Sequence, residues 1–144
     1  MASAALLYTP DVLALATSLA AYPLNDDLRL RADARSRSCG STLTLGLSLD
    51  NDGRIARVGL RTQACAIGQA SAAIFAQGAQ GRSGTEVATA AEAVTRWLAG
   101  EAELPDWPTL GEIAAARDYP GRHGALMLPW TAALQLLSSP RDQS

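Results

Sequence analysis

The run "STLTLGLSLD" at 41–50 constrains the fold more than any other part of the chain. Leu43, Leu45, Leu47 and Leu49 alternate with small or polar residues, the period of a strand with one buried face. Asp50-Asn51-Asp52-Gly53 follows, a turn in which Gly53 can take positive φ. Beyond it Ala56, Val58, Leu60 and Thr62 oppose Arg57, Gly59, Arg61 and Gln63; upstream, Leu28, Leu30, Ala32 and Ala34 oppose Arg29, Arg31, Asp33 and Arg35. The pattern predicts an antiparallel sheet with one apolar face and one wet, arginine-rich face.

An apolar sheet face must be covered, and the remaining sequence has helical period. Thr9 caps a first helix with Pro10 and Asp11 in its first turn and Val12, Leu15, Ala16 and Leu19 as its stripe, stopped at Tyr22-Pro23. Further helices are predicted over about 66–77, 85–98, 109–117 and 129–137. Ser83 with Glu86 reads as a capping box, and Gly100 as the stop of that helix. Trp97, Trp107 and Trp130 read as packing anchors at helix ends and turns. The fold class is therefore α+β, a small antiparallel β-sheet packed on one face by helices. A chain of 144 residues is expected to form one domain over 1–144, with 1–6 and 139–144 as loose tails. It buries roughly two-thirds of its unfolded surface without needing a disulfide or metal to fold.

Composition narrows the function classes. A net charge of -2 gives no overall reason to bind nucleic acid. The start, "MASAALLYTPDV", has no basic n-region and meets Pro10 and Asp11 before any long apolar run. It is expected to be neither a signal peptide nor a membrane span, with the cytoplasm as the compartment. There Cys39 and Cys65 are expected as thiols, not a disulfide. No Gly-rich phosphate loop, nucleophile elbow or paired-carboxylate constellation is present in the sequence.

Cys65, in "RTQACAIGQASAAIF", falls where the third strand ends and a helix of small residues begins. Helix N-termini favour anions, thiolates included. Cys39, in "RSRSCGST", enters the strand antiparallel to the one that ends at Cys65, so the two thiols are expected at one edge of the sheet. The plainer reading, two small buried hydrophobes, stands beside this one. Arg35, Arg37, Arg57 and Arg61 form either a positive rim near the thiols or a solvated strand face, and the solvated face is favoured.

"SCGS" before a leucine strand, "ACAIGQASAAIF" at a strand-to-helix junction, then "LGEI" and "YPGRHGALMLPW" resemble the IscU/NifU/SufU family of iron–sulfur cluster assembly scaffolds, the SufU branch most closely. The resemblance runs from about Leu7 to Leu137. It implies that Cys39 and Cys65 match two ligand cysteines, that Ser41 stands where the family has an aspartate, and that Ala125 stands where a third ligand cysteine would be. His123, the only histidine, lies in the same loop two residues before Ala125 and is a candidate substitute ligand. The resemblance implies a scaffold or carrier, not an enzyme, that holds iron, an iron–sulfur cluster or zinc. Its partners would be a cysteine desulfurase and other iron–sulfur assembly proteins, with a dimer as one way to add ligands. Two alternatives stay open: a sulfur acceptor taking persulfide sulfur on Cys65 or Cys39, and an interaction module that binds no metal.

Overall fold

The computed structural model describes residues 7–37 and 40–137. Helix α1 (Pro10–Ser18) is capped by Thr9, whose Oγ1 accepts from the Val12 amide at 3.1 Å, and it runs into a short 3-10 turn, Leu19–Ala21. Strands β1 (Leu30–Arg35), β2 (Thr42–Leu49) and β3 (Ile55–Gln63) form an antiparallel sheet in the order β1-β2-β3. The turn between β2 and β3 closes as the sequence predicts: Gly53 has φ +80, its amide donates to Asp50 O at 3.0 Å, and Asp50 Oδ1 accepts from the Asp52 and Arg54 amides. Helices α2 (Ala66–Ala79), α3 (Gly84–Leu98) and α4 (His123–Leu137) complete the chain. The capping box at Ser83 and Glu86 forms in both directions, and Gly100, at φ +81, follows α3.

Register explains the layering. Leu43, Leu45 and Leu47 are buried and face Ala34, Ala32 and Leu30 on one side, and Thr62, Leu60 and Val58 on the other. Helix α4 packs across β1 and β2, and α2 across β3, so this is the helix-covered face. Phe75 of α2 packs edge-on to Trp130 of α4 at 5.1 Å between centroids, and Trp107 meets both rings. The Trp107 Nε1–H donates to Ile74 O at 2.9 Å, so this large side chain is buried with its polar group satisfied. Among the described residues no helix is long and apolar enough to cross a membrane.

Three features differ from the sequence expectation. Leu28 is buried but lies outside β1, on the opposite face of the sheet. There Gly46 and Gly59 are register partners, and a Cβ on Gly46 would stand 2.6 Å from Leu24 Cδ1 and 3.0 Å from Leu28 Cβ. A Cβ on Gly59 would meet the Pro23 carbonyl and Leu28. The two missing side chains make a trough, and the 23–28 segment is strapped across it, held at the β3 edge by the Leu60 amide donating to Tyr22 O at 2.9 Å.

The last helix starts at His123, six residues before Pro129, which sits buried inside it. A proline there removes the hydrogen bond to the Ala125 carbonyl, but burial of Leu126, Leu128, Trp130, Ala132 and Ala133 outweighs that loss. The 110–118 segment is a 3-10 run kinked at Ile113 (φ -113, ψ 21), not an α-helix.

Candidate functional site

Cys65 is the N-cap of α2, directly after β3, with extended backbone (φ -66, ψ 172). Its thiol is free and half-buried, and its side chain makes no capping hydrogen bond. Thr42 pairs with both Arg35 and Gln63, so the ends of β1 and β3 and the start of β2 share one edge. The loop joining β1 to β2 lies there, closed by the Ser36 amide donating to Ser41 O at 2.9 Å and the Gly40 amide to Ser36 O at 3.0 Å. Gly40 takes φ +71, and Ser41 is buried. Cys39 belongs to this loop in sequence but lies outside the described residues.

Ala125 comes to the same end by way of α2. Gly68, in the first turn of α2, has Ala64 Cβ 2.7 Å and Ala125 Cβ 3.2 Å from the point where its own Cβ would be. One turn on, Ser71 Oγ donates to Leu126 O at 2.6 Å. Small residues at 68 and 71 thus let the two helices approach closely, which sets Ala125 beside the residue preceding Cys65. This pair was not singled out from the sequence, although its i, i+3 spacing within a run of small residues was the available signal.

His123 is placed differently. As the first residue of α4, its Nε2 lies 2.8 Å from Arg117 O. A carbonyl only accepts, so Nε2 carries the proton and Nδ1 is the open nitrogen of the neutral ring. The ring lines a groove with Thr95, Leu98 and Ala99 of α3 and with Gly124 and Met127. Among the described residues no three of His, Cys, Asp and Glu come together as a metal site. The described side chains at the edge offer a thiol, a serine hydroxyl and a methyl, which do not by themselves make the four-donor set that zinc takes.

The arginines divide between the two ends of the sheet. Arg57, near the turn, is bound to Asp27 at 2.6 and 3.4 Å, and that pair holds the Asp27 carboxyl below its ordinary value and raises Arg57. Arg35, Arg37 and Arg61 are exposed at or near the Cys65 end, and none forms an ion pair among the described residues. Position along the strand therefore sets Arg57 apart from the other three, as part of the solvated strand face that the sequence favours.

This geometry defines an α+β protein in which a free thiol on a helix N-cap residue lies at the edge of a three-stranded sheet. No protein-family model matches the sequence, and no curated protein matches it either. The fold is shared with the N-terminal part of a nitrogen-fixing NifU-like protein from Brucella abortus, at a TM-score of 0.84 and 25% identity, over 96% of this chain and 97% of that one. It is shared also with the candidate iron–sulfur cluster assembly scaffold protein for the SUF system from the thermophile Fervidobacterium islandicum AW-1, at a TM-score of 0.81 and 22% identity, over 94% of this chain and 99% of that one. The chain is IscU/NifU/SufU-like in fold.

Proposed function

We propose that this chain works in iron–sulfur cluster assembly as a scaffold-like carrier, holding iron, a cluster or zinc as cargo through Cys65 and Cys39. The observation that carries the reading is Cys65 itself: a half-buried free thiol at a strand-to-helix junction, on a fold shared over nearly the whole chain with a NifU-like protein. Four-coordinate zinc takes four donors, and clusters are held chiefly by cysteine thiolates. With a hydroxyl at Ser41 and a methyl at Ala125, the remaining donors come from outside: water, a small thiol, a second copy of the chain or a partner. His123, through Nδ1, is the further candidate ligand. A cysteine desulfurase and other assembly proteins are the partners in this reading, the cytoplasm is its compartment, and the chain acts as a carrier. The test is metal and sulfide content after oxygen-free purification. Stoichiometric iron or zinc that is lost in Cys39→Ser and Cys65→Ser is expected; wild-type protein holding neither overturns the carrier reading.

The open thiol favours a second reading, since sulfur acceptance needs one reachable thiolate and no complete ligand set. The Cys65 thiolate attacks the outer sulfur of a desulfurase persulfide; a new S–S bond forms on Cys65, the donor S–S bond breaks, and the donor cysteine leaves as thiolate. Incubation with desulfurase and cysteine should add the mass of one sulfur atom, and Cys65→Ser should abolish the gain. Desulfurase binding that survives in the Cys39→Ser/Cys65→Ser double variant, with neither metal nor sulfur uptake in wild type, would leave the interaction-module reading.

A further inference from the structure

Charge is distributed unevenly over this chain. Arg29, Arg31, Arg35, Arg37, Arg54, Arg57 and Arg61, seven of its twelve basic residues, fall in or beside β1 and β3. Five carboxylates, Asp26, Asp27, Asp33, Asp50 and Asp52, lie in or near the same strands, the last two in the turn at the far end, while nine of the fourteen acidic residues lie elsewhere in the sequence. The strand alternation that turns the leucines inward puts Arg35, Asp33, Thr42, Thr44, Arg61 and Gln63 on the outer face at the Cys65 end.

Local pairing sharpens the contrast. Asp27 is bound by Arg57, and Asp33 Oδ1 accepts from Thr44 Oγ1 at 2.5 Å. Arg31 donates to the Leu28 and Asn25 carbonyls. Arg35, Arg37 and Arg61 keep their charge unpaired among the described residues. A shallow groove of about 700 Å³ crosses this face, lined by Arg31, Asp33, Thr44 and Arg61 and reaching Gln135 of α4. Gln135 donates to Asp33 O at 3.2 Å and so closes part of the β1 edge.

We propose that the outer face of the sheet at its Cys65 end is a docking surface for an acidic segment of a partner protein, gripped by Arg35, Arg37 and Arg61. The spacing suits carboxylates carried on a polypeptide. Arg35 and Arg61 stand on strands two places apart and two residues out of register, about 12 Å between backbones at the usual spacings, and with Arg37 they present three separate cations, which suits several carboxylates spread along a segment. Asp33 stands on β1 beside Arg35 and level with Arg61, with its Oδ1 taken by the Thr44 hydroxyl, so Thr42 and Thr44 are what lies between the two cations. Arginine forks bind carboxylates bidentately, and the threonine hydroxyls and Gln135 supply neutral partners between the cations. Docking here leaves a bound segment beside Cys65 without covering the helical face. The proposal does not rest on the thiol reading.

The test uses the full chain and a fluorescent poly-glutamate peptide as probe, read by anisotropy at low and high salt. Wild-type protein should bind at low salt and release as salt rises. The double variant R35E/R61E, checked for native secondary structure by circular dichroism, should bind about tenfold more weakly, mostly through slower association. Arg35→Gln/Arg61→Gln should fall between the two. Arg96→Glu, on the exposed side of α3, and Cys65→Ser should bind as wild type. Equal loss in Arg96→Glu overturns the proposal, because attraction would then follow net charge alone. Tighter arginine-dependent binding of a single-stranded oligonucleotide or of phosphatidylserine vesicles overturns it in favour of those ligands. Salt-sensitive self-association abolished in R35E/R61E would assign the face to a second copy of this chain instead.

Discussion

The two ends of the sheet have the same strands, the same alternation and nearly the same residue types, yet they are finished differently. At the turn end Arg57 meets Asp27, Arg54 meets Glu86 at 3.2 Å, and Asp50 satisfies the turn's amides. The Ile55 amide and carbonyl are tied to Arg82 and Gly81, so the hairpin is fastened to the start of α3. At the other end three arginines form no ion pair among the described residues, and a half-buried thiol stands at a helix N-cap. One end of the sheet is tied into the fold, and the other is the end at which the proposed carrier and docking roles are placed.

The sharpest way to break that contrast is in the trough that divides the ends. Gly59→Val drives two methyls into the Pro23 carbonyl and Leu28, and backbone atoms cannot step aside cheaply. We expect a loss of about 3 kcal/mol or more in urea unfolding. Next comes Ser83→Ala, which removes the cap of α3 and should cost about 1 kcal/mol, with iron, zinc and sulfur uptake at Cys65 unchanged.

A pH effect sits at the same place. The Ser83 amide, with smaller help from Arg54, holds the Glu86 carboxyl below its ordinary value. A carboxyl with a depressed folded value adds stability at neutral pH that is lost as pH falls through the ordinary glutamate range, about 4.3, and below. The urea midpoint should therefore drop with acidification over that window, and Glu86→Gln should flatten the drop measurably. Smallest in stability is Cys65→Ser, expected within about 0.5 kcal/mol of wild type because the thiol has no structural hydrogen bond. Its whole effect should appear as lost metal or sulfur uptake. A large destabilisation there would mean the thiol is part of the scaffold after all, and the contrast between the ends would fail.

Much of the architecture is readable from period and punctuation. The leucine alternation, the Asp50–Gly53 turn and the capping box each carry a local cause, and local causes survive in a single sequence. What was not readable depends on partners distant along the chain. Leu28 continues the apolar alternation of β1, so period alone puts it inside; only the cross-strand meeting of Gly46 with Gly59 makes room for it outside. Pro129 reads as a helix start by local rule, and the buried α4 face overrides it. At the site, the strand-to-helix position of Cys65 was legible, and so was the lack of a sulfur at 125. The closeness of Ala125 to that junction was not, because it follows from how tightly Gly68 and Ser71 let two helices approach.

The strap over the glycine trough has a consequence for how such a chain can change. It runs across the middle of the outer face, and it separates the region where substitutions are read as stability from the region where they are read as recognition. On the proposed docking role, Arg35, Arg37 and Arg61 can be substituted on the far side of the strap from the hairpin, with the packing of the strap and of the aromatic cluster left untouched.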